Sequence, residues 1–336
     1  MLLVGEPGTA KSMLAEELCR RLDGARYFHW LLTRFTTPEE LFGAVSLAGL
    51  ERDEYRRVTT HKLPEAHVAF LDEVFKASSA ILNTLLGILH ERRFHNGRDV
   101  VQVPLLCLIA ATNELPDEDE LAALYDRFLV RLRVEPIRED FRFLGMLRAP
   151  EPGEPKVRVS LAELAAAQAD VEKVAVGDGV LRAATRLRSL LAGRGLSISD
   201  RRWRQSFAWL RARAWLAGRD AVAAEDLLGL EHLLWSEPDQ RPEVVAALHE
   251  LLRGREEEAR TLLAQSRELV AWATRRFESE DQRTRAVIEA QTKLQGLAQR
   301  LEALGRESRE LGLPEPPLET VLAEVRESQR KLLAGY

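Results

Sequence analysis

The chain has 336 residues, more than one hydrophobic core usually holds, so two or three structural units are expected. Apolar residues make up 46% and charged residues 30%, which excludes a mainly disordered chain and points to a soluble, largely helical protein. The net charge of −5 is the difference between 48 basic and 53 acidic side chains, so no overall field invites nucleic acid or an anionic membrane. Cys19 and Cys107 stand far apart in apolar stretches, the pattern of two buried thiols rather than of a zinc cluster or disulfide framework. The start is too short for a signal peptide, and no segment has the uncharged length of a membrane span; the expected compartment is the cytoplasm.

Met1 to Val4 has the pattern of the end of a buried strand, and Gly5-Glu6-Pro7-Gly8 turns it into a helix along which Met13, Leu14 and Leu18 recur at helical spacing. His67–Leu71 and Leu105–Ala111 are further short apolar runs ending in polar residues, separated by a helical pattern of Ile81, Leu82, Leu85, Leu86 and Leu89. Strands alternating with helices imply a parallel α/β sheet. Between them, Phe94–Val103 carries Asn96-Gly97, a hairpin signal. The Pro-rich run 149–155 marks a junction, and Ser160–Leu234 is helical throughout, with a helix start at Asp200 and glycines at 177, 179, 193, 195 and 218. Trp203, Trp209 and Trp215 follow near-helical spacing and fit a lid core. Beyond Pro238 and Pro242, the stripe Leu294, Leu297, Leu301, Leu304 predicts a helical hairpin or three-helix unit. The expected domains are therefore an α/β domain over 1–148, a helical lid over 156–236 and a helical C-terminal unit over 243–336.

Gly5-Glu6-Pro7-Gly8-Thr9-Ala10-Lys11-Ser12 lies between strand and helix, the context a phosphate-binding loop needs. Glycines let backbone N–H groups crowd around phosphate oxygens, and the helix N-terminus adds partial positive charge. Lys11 would bridge the β- and γ-phosphates of ATP, and the Ser12 hydroxyl would hold Mg²⁺. Gly5, Glu6, Pro7, Gly8, Thr9, Ala10, Lys11, Ser12 and Met13 are the candidate nucleotide-binding positions, with Ala10 standing where the general motif has glycine. Val68–Leu71 delivers Asp72 and Glu73 to the functional end of a parallel strand, where Asp72 would serve Mg²⁺ and Glu73 would polarise the attacking water. The third strand ends in Thr112-Asn113-Glu114, making Asn113 a candidate γ-phosphate sensor. In Asp126-Arg127-Phe128, Arg127 is a candidate arginine finger for a neighbouring subunit. His90 and His95 superficially suggest a zinc motif, but they stand five positions apart where the motif needs four.

The ordered set GEPGTAKS, FLDE, AATNE and LYDRF resembles the MoxR branch of AAA+ ATPases. Longer runs, TRFTTPEELFG at 33–43 and LPEAHVAFLDEVFKASSAILNTLLGILHERRFHNG at 63–97, are similar to the RavA subgroup. The likeness is dense from Met1 to about Leu147 and thins through the lid; the family's own loop has alanine at the position of Ala10. The resemblance implies a P-loop AAA+ sheet with an all-α lid, ATP held at the junction of the two, and a hexameric ring with chaperone-like activity. It also implies a protein partner with a von Willebrand A domain, and a lid arginine on the γ-phosphate. In Ser197-Ile198-Ser199-Asp200-Arg201-Arg202-Trp203 that arginine is Arg201, with Arg202 close behind. Related proteins carry a helical segment ahead of the phosphate loop, whereas this chain opens within its first strand, so a late or truncated start is expected, as is a shorter C-terminal third.

Three functions are set against one another. An ATP-driven remodelling chaperone uses Glu73, Asn113 and Arg127 for turnover. A slowly hydrolysing assembly scaffold uses the same residues mainly to bind. A DNA-acting motor needs a basic pore lining, but the hairpin tip His95-Asn96-Gly97-Arg98-Asp99 offers one full positive charge against one negative.

Overall fold

The computed structural model describes residues 1–113, 124–150, 153–313 and 318–334. The chain divides into two compact units, Met1–Asp170 and Val171–Tyr336.

The first unit is built on a five-stranded parallel sheet. Its strands are β1 (Leu2–Val4), β3 (Tyr27–Leu31), β4 (Val68–Asp72), β7 (Cys107–Thr112) and β8 (Arg131–Arg133), in the order β3-β4-β7-β1-β8. Both faces are covered. Leu2, Val4, Ala69, Leu71, Leu108 and Ala110 enter one core, and Leu3, Phe70, Ile109 and Ala111 enter the other. Alternation along a strand buried on both sides makes these runs apolar throughout, which is why they stand out in the sequence. The edge strands β3 and β8 carry His29, Arg131 and Arg133, so no apolar run announces them.

Helix α1 (Lys11–Arg20) forms as expected, but it turns Lys11, Ala15 and Cys19 to the sheet and leaves Met13, Leu14 and Leu18 at 55%, 51% and 40% exposure. Small side chains at 15 and 19 let the helix lie close on Leu3, Phe70 and Ile109; the larger ones do not fit that gap. The expectation of two buried thiols holds at Cys19, whose pKa burial pushes up, and fails at Cys107, which opens β7 and is only partly buried.

The hairpin is β5 (Arg93–Asn96) against β6 (Asp99–Gln102), closed by Gly97 at φ +68°. Its tip is bound to the preceding segment. Asn96 accepts the Arg57 N–H through Oδ1 at 2.6 Å and donates from Nδ2 to the Arg57 carbonyl at 3.1 Å. A Cβ on Gly97 would stand 1.8 Å from the Tyr55 carbonyl oxygen, so this glycine answers to packing as well as to the turn. A two-stranded parallel pair, β2 (Leu22–Asp23) with β9 (Val159–Ser160), keeps the chain after the Pro-rich run beside α1; residues 151 and 152 of that run lie outside the described residues.

The second unit is helical. Helix Asp178–Gly193 and the 3-10 run Ala224–His232 pack on Arg241–Thr274, a single 34-residue helix, and helix Asp200–Leu216 packs on the 3-10 run. At 1.5 Å per residue that helix is about 51 Å long. Its first half buries Val244, Ala247, Leu248 and Leu251. Its second half joins Glu280–Glu310 and Leu318–Ala334 in a three-helix bundle, where Leu294, Leu301 and Leu304 are buried and Leu297 is partly so. One continuous helix therefore runs through both the expected lid and the expected C-terminal unit. The tryptophan reading needs correction. Six residues advance a helix by about 600°, so successive positions swing about 120° around the axis. Trp203 is buried, Trp209 lies over Gly229, and Trp215 is exposed. No helix among the described residues is long and apolar enough to cross a membrane.

Candidate nucleotide site

The site grows from the C-terminal ends of β1, β4 and β7. Register places Val4 beside Thr112 and Leu71 beside Ala110, so the phosphate loop, the two carboxylates and Asn113 emerge together. Gly5 donates its N–H to the Thr112 carbonyl at 3.1 Å. A Cβ on Gly5 would lie 2.1 Å from the Val134 carbonyl oxygen, so the chain leaving β8 admits only glycine there.

Past Pro7 the loop turns through Gly8 at φ +81° and Ala10 at φ 60°, ψ 27°. Ala10 is the N-cap of α1 in the left-handed region, which explains why glycine is the general choice; alanine costs about 1 kcal/mol. It offers no side-chain cap, leaving the first-turn N–H groups without a side-chain partner. Lys11 is 8% exposed, and its Nζ donates to the Gly5 carbonyl at 2.8 Å and the Glu6 carbonyl at 2.7 Å, with Thr9 Oγ1 at 3.4 Å. Thr9 Oγ1 donates to the Glu6 carbonyl at 2.9 Å and braces the turn. Ser12 and Met13 are exposed on the next positions.

On β4 the residues Val68–Leu71 are fully buried and Asp72 is the first to reach partial exposure. Its Oδ1 accepts the Glu73 N–H at 3.1 Å. Glu73 sits at φ 52°, a left-handed turn that leads into the short 3-10 turn Val74–Lys76. Its carboxylate is held from two sides, by Asn113 Nδ2 at 2.6 Å on Oε1 and Lys76 Nζ at 3.2 Å on Oε2. The sequence reading did not single out Lys76; the signal available was a cation three residues after the glutamate.

Arg127 ends a helical turn over 124–127 and is half-buried; Glu114 and the rest of 114–123 lie outside the described residues. Below that turn Arg131 is 1% exposed, with its guanidinium 3.9 Å from the Tyr125 ring centroid and Nη2 donating to the Tyr125 carbonyl at 3.0 Å. Arg131 fixes the turn that carries Arg127, another role that a lone arginine in a short strand does not advertise. Arg201 and Arg202 belong to the second unit. Arg202 is buried and donates from Nη1 to the Leu233 carbonyl at 2.8 Å, whereas Arg201 is half-buried at the start of its helix.

The first unit thus brings together an uncapped helix N-terminus, a lysine ammonium, a serine hydroxyl, Asp72, Glu73 and Asn113. This donor set fits a triphosphate and Mg²⁺: N–H groups and Lys11 for phosphate, Ser12 and Asp72 for the cation.

A family model for the MoxR domain of MoxR–vWA–β-propeller ternary systems matches residues 1–169, and one for an AAA lid domain matches 180–248. The chain belongs to the MoxR family of AAA+ ATPases. Similar relatives include two uncharacterized proteins of Methanocaldococcus jannaschii. One is 42% identical over 206 residues, covering 61% of this chain and 54% of the relative. The other is 37% identical over 240 residues, covering 71% and 64%. The chain therefore spans about half to two thirds of the length of these relatives. A structural protein of Acidianus two-tailed virus is 34% identical over 135 residues, covering 39% of this chain and 22% of that protein. The crystal structure of a candidate ATPase from Cytophaga hutchinsonii superposes with a TM-score of 0.59 at 17% identity, over 75% of this chain and 84% of that one, and shows the shared AAA+ fold.

Proposed function

We propose that this MoxR-family chain hydrolyses ATP as a ring of its own copies, a hexamer, and uses the turnover to remodel or assemble a protein partner. The observation that carries the reading is the 2.6 Å contact between Asn113 and Glu73 beside the phosphate loop. A loop that only binds nucleotide needs Lys11 and N–H groups; a carboxylate oriented at the same edge is a part needed for turnover. Gly5 to Met13 cradle the phosphates, Lys11 neutralises them, and Ser12 and Asp72 hold the cation. Mg²⁺ bound there would supply positive charge to the phosphate oxygens. Glu73 accepts the proton of the attacking water, Asn113 orients the water or the γ-phosphate, Arg127 serves the site of a neighbouring copy, and Arg201 is the lid's nucleotide-sensing arginine.

The partner class comes from the family description: a protein with a von Willebrand A domain, alongside a β-propeller protein. The runs at 33–43 and 63–97 support a RavA-like subgroup. Steady-state phosphate release measured across protein concentration tests the reading. Specific activity that rises cooperatively and collapses with Arg127→Ala supports a shared-site ring. If the chain binds ATP yet releases no phosphate at any concentration, the scaffold reading replaces it.

A further inference from the structure

Glu73 has two gripping partners, of which the first, Asn113, is already a candidate site residue. The second, Lys76, closes the turn that Glu73 opens: its N–H donates to the Glu73 carbonyl at 2.9 Å, and its Nζ returns to Oε2 at 3.2 Å. Val74, fully buried between them, anchors the turn to the core and sets the Cα separation. The pair is asymmetric. The Glu73 side chain is 14% exposed and the Lys76 side chain 56% exposed, so an exposed cation reaches in from solvent to a sheltered carboxylate. An ordinary surface ion pair loses most of its value in ordering two long side chains. Here one partner is already pinned by Asn113, and only the lysine needs ordering.

We infer that Lys76 is a positioning residue for Glu73. The inference rests on the reading of Glu73 as the base that activates water. A hydrogen bond to Oε1 alone leaves the carboxylate free to rotate about that contact; a cation on Oε2 fixes its plane. Each carboxylate oxygen keeps a lone pair after one contact, so the two grips still leave an acceptor for water. Lys76 touches neither the phosphate loop nor Asp72 through any hydrogen bond or ion pair described above, so its effect is on the rate of the chemical step rather than on nucleotide affinity.

The test compares Lys76→Ala, Lys76→Arg, Glu73→Gln and the double variant Glu73→Gln/Lys76→Ala in the full chain, reading kcat and KM for ATP, with nucleotide binding and melting temperature as checks on folding. Losing one of two orienting contacts should lower kcat about fivefold to tenfold with KM unchanged. Lys76→Arg should recover most of kcat, and Lys76→Ala should change nothing further in the Glu73→Gln background. Wild-type or raised kcat in Lys76→Ala, with Glu73→Gln inactive, overturns the role of Lys76 alone. Wild-type kcat in Glu73→Gln overturns the reading of Glu73, and this inference with it. A Lys76→Ala loss that persists in full in the Glu73→Gln background shows action by another route and also overturns it.

Discussion

The sheet edge of the first unit and the helices of the second place their important residues by different physics. At the edge, backbone register fixes where each strand ends, so Val4, Asp72 and Thr112 arrive together and the residues after them can do little but meet. Along a helix, spacing allows several faces, and packing alone decides which one is buried. Asp72 and Asn113 could be placed at the strand ends from their position in a motif, whereas Trp203 and Trp215 share a residue type and have opposite surroundings. Substitutions at the edge should therefore act on turnover, and those in the helical unit on stability.

The largest effect expected is at Glu73. Replacing it with glutamine keeps size and hydrogen bonding but removes the base, and turnover should fall about a thousandfold, ~4 kcal/mol of barrier. Binding of a fluorescent ATP analogue should persist, whereas Lys11→Ala should weaken binding as well as turnover. Equal loss of binding in both variants would break the division of labour along the edge. In the helical unit, Trp203→Ala should cost about 3 to 4 kcal/mol in denaturant unfolding and Trp215→Ala under about 1 kcal/mol, with ATP binding by the first unit retained. Similar costs for the two would mean that Trp215 has a partner beyond this chain.

Much of the edge was legible because phosphate chemistry restricts the residues that serve it. The loop Gly5–Ser12, the pair Asp72 and Glu73, and the amide of Asn113 are few in kind and fixed in order. What stayed hidden depended on contacts distant in sequence or on local backbone conformation. The need for glycine at position 5 comes from Val134, the clamp on the hairpin comes from Arg57, and the grip of Lys76 depends on the left-handed turn at Glu73. The choice of face on α1 has the same origin, since Met13, Leu14 and Leu18 are apolar enough to be buried but too large for the gap that Ala15 and Cys19 fill.

A charged contact in the helical unit sharpens the comparison further. Asp226 is 3% exposed, accepts from both Arg219 guanidinium nitrogens at 2.7 Å and from the Ala223 N–H at 2.9 Å, and has Arg213 at 3.5 Å. Burial works against its charge, but the Arg219 hydrogen bonds prevail and hold its carboxyl below the ordinary aspartate value. A depressed pKa contributes stability that is present above the unfolded value, about 3.9, and is lost as pH falls through the folded one. Arg219→Ala leaves the buried carboxylate without its main partner and should destabilise the chain at neutral pH, read in denaturant unfolding. Asp226→Ala should cost less, because Arg219 is already half in water. The gap between wild type and Arg219→Ala should be flat above about pH 5 and shrink in acid; a gap that widens in acid would show that the carboxylate is not what the arginine stabilises.

The smallest effect is the most discriminating, because it sets two adjacent arginines against each other. Ser199 caps their helix by accepting the Arg202 N–H at 3.3 Å, which sends consecutive side chains in directions about 100° apart. Arg202 turns inward, is 2% exposed and holds the Leu233 carbonyl at 2.8 Å. Its replacement by alanine leaves a buried carbonyl oxygen without that donor, at a cost of about 1 to 2 kcal/mol in unfolding. Arg201 is half-buried, and on its proposed role Arg201→Ala should lower turnover by more than it lowers the unfolding midpoint. If Arg202→Ala lowers turnover at unchanged stability while Arg201→Ala does nothing, the sensing role passes to Arg202. The helical unit would then carry function on its buried face, and the contrast with the sheet edge would fail.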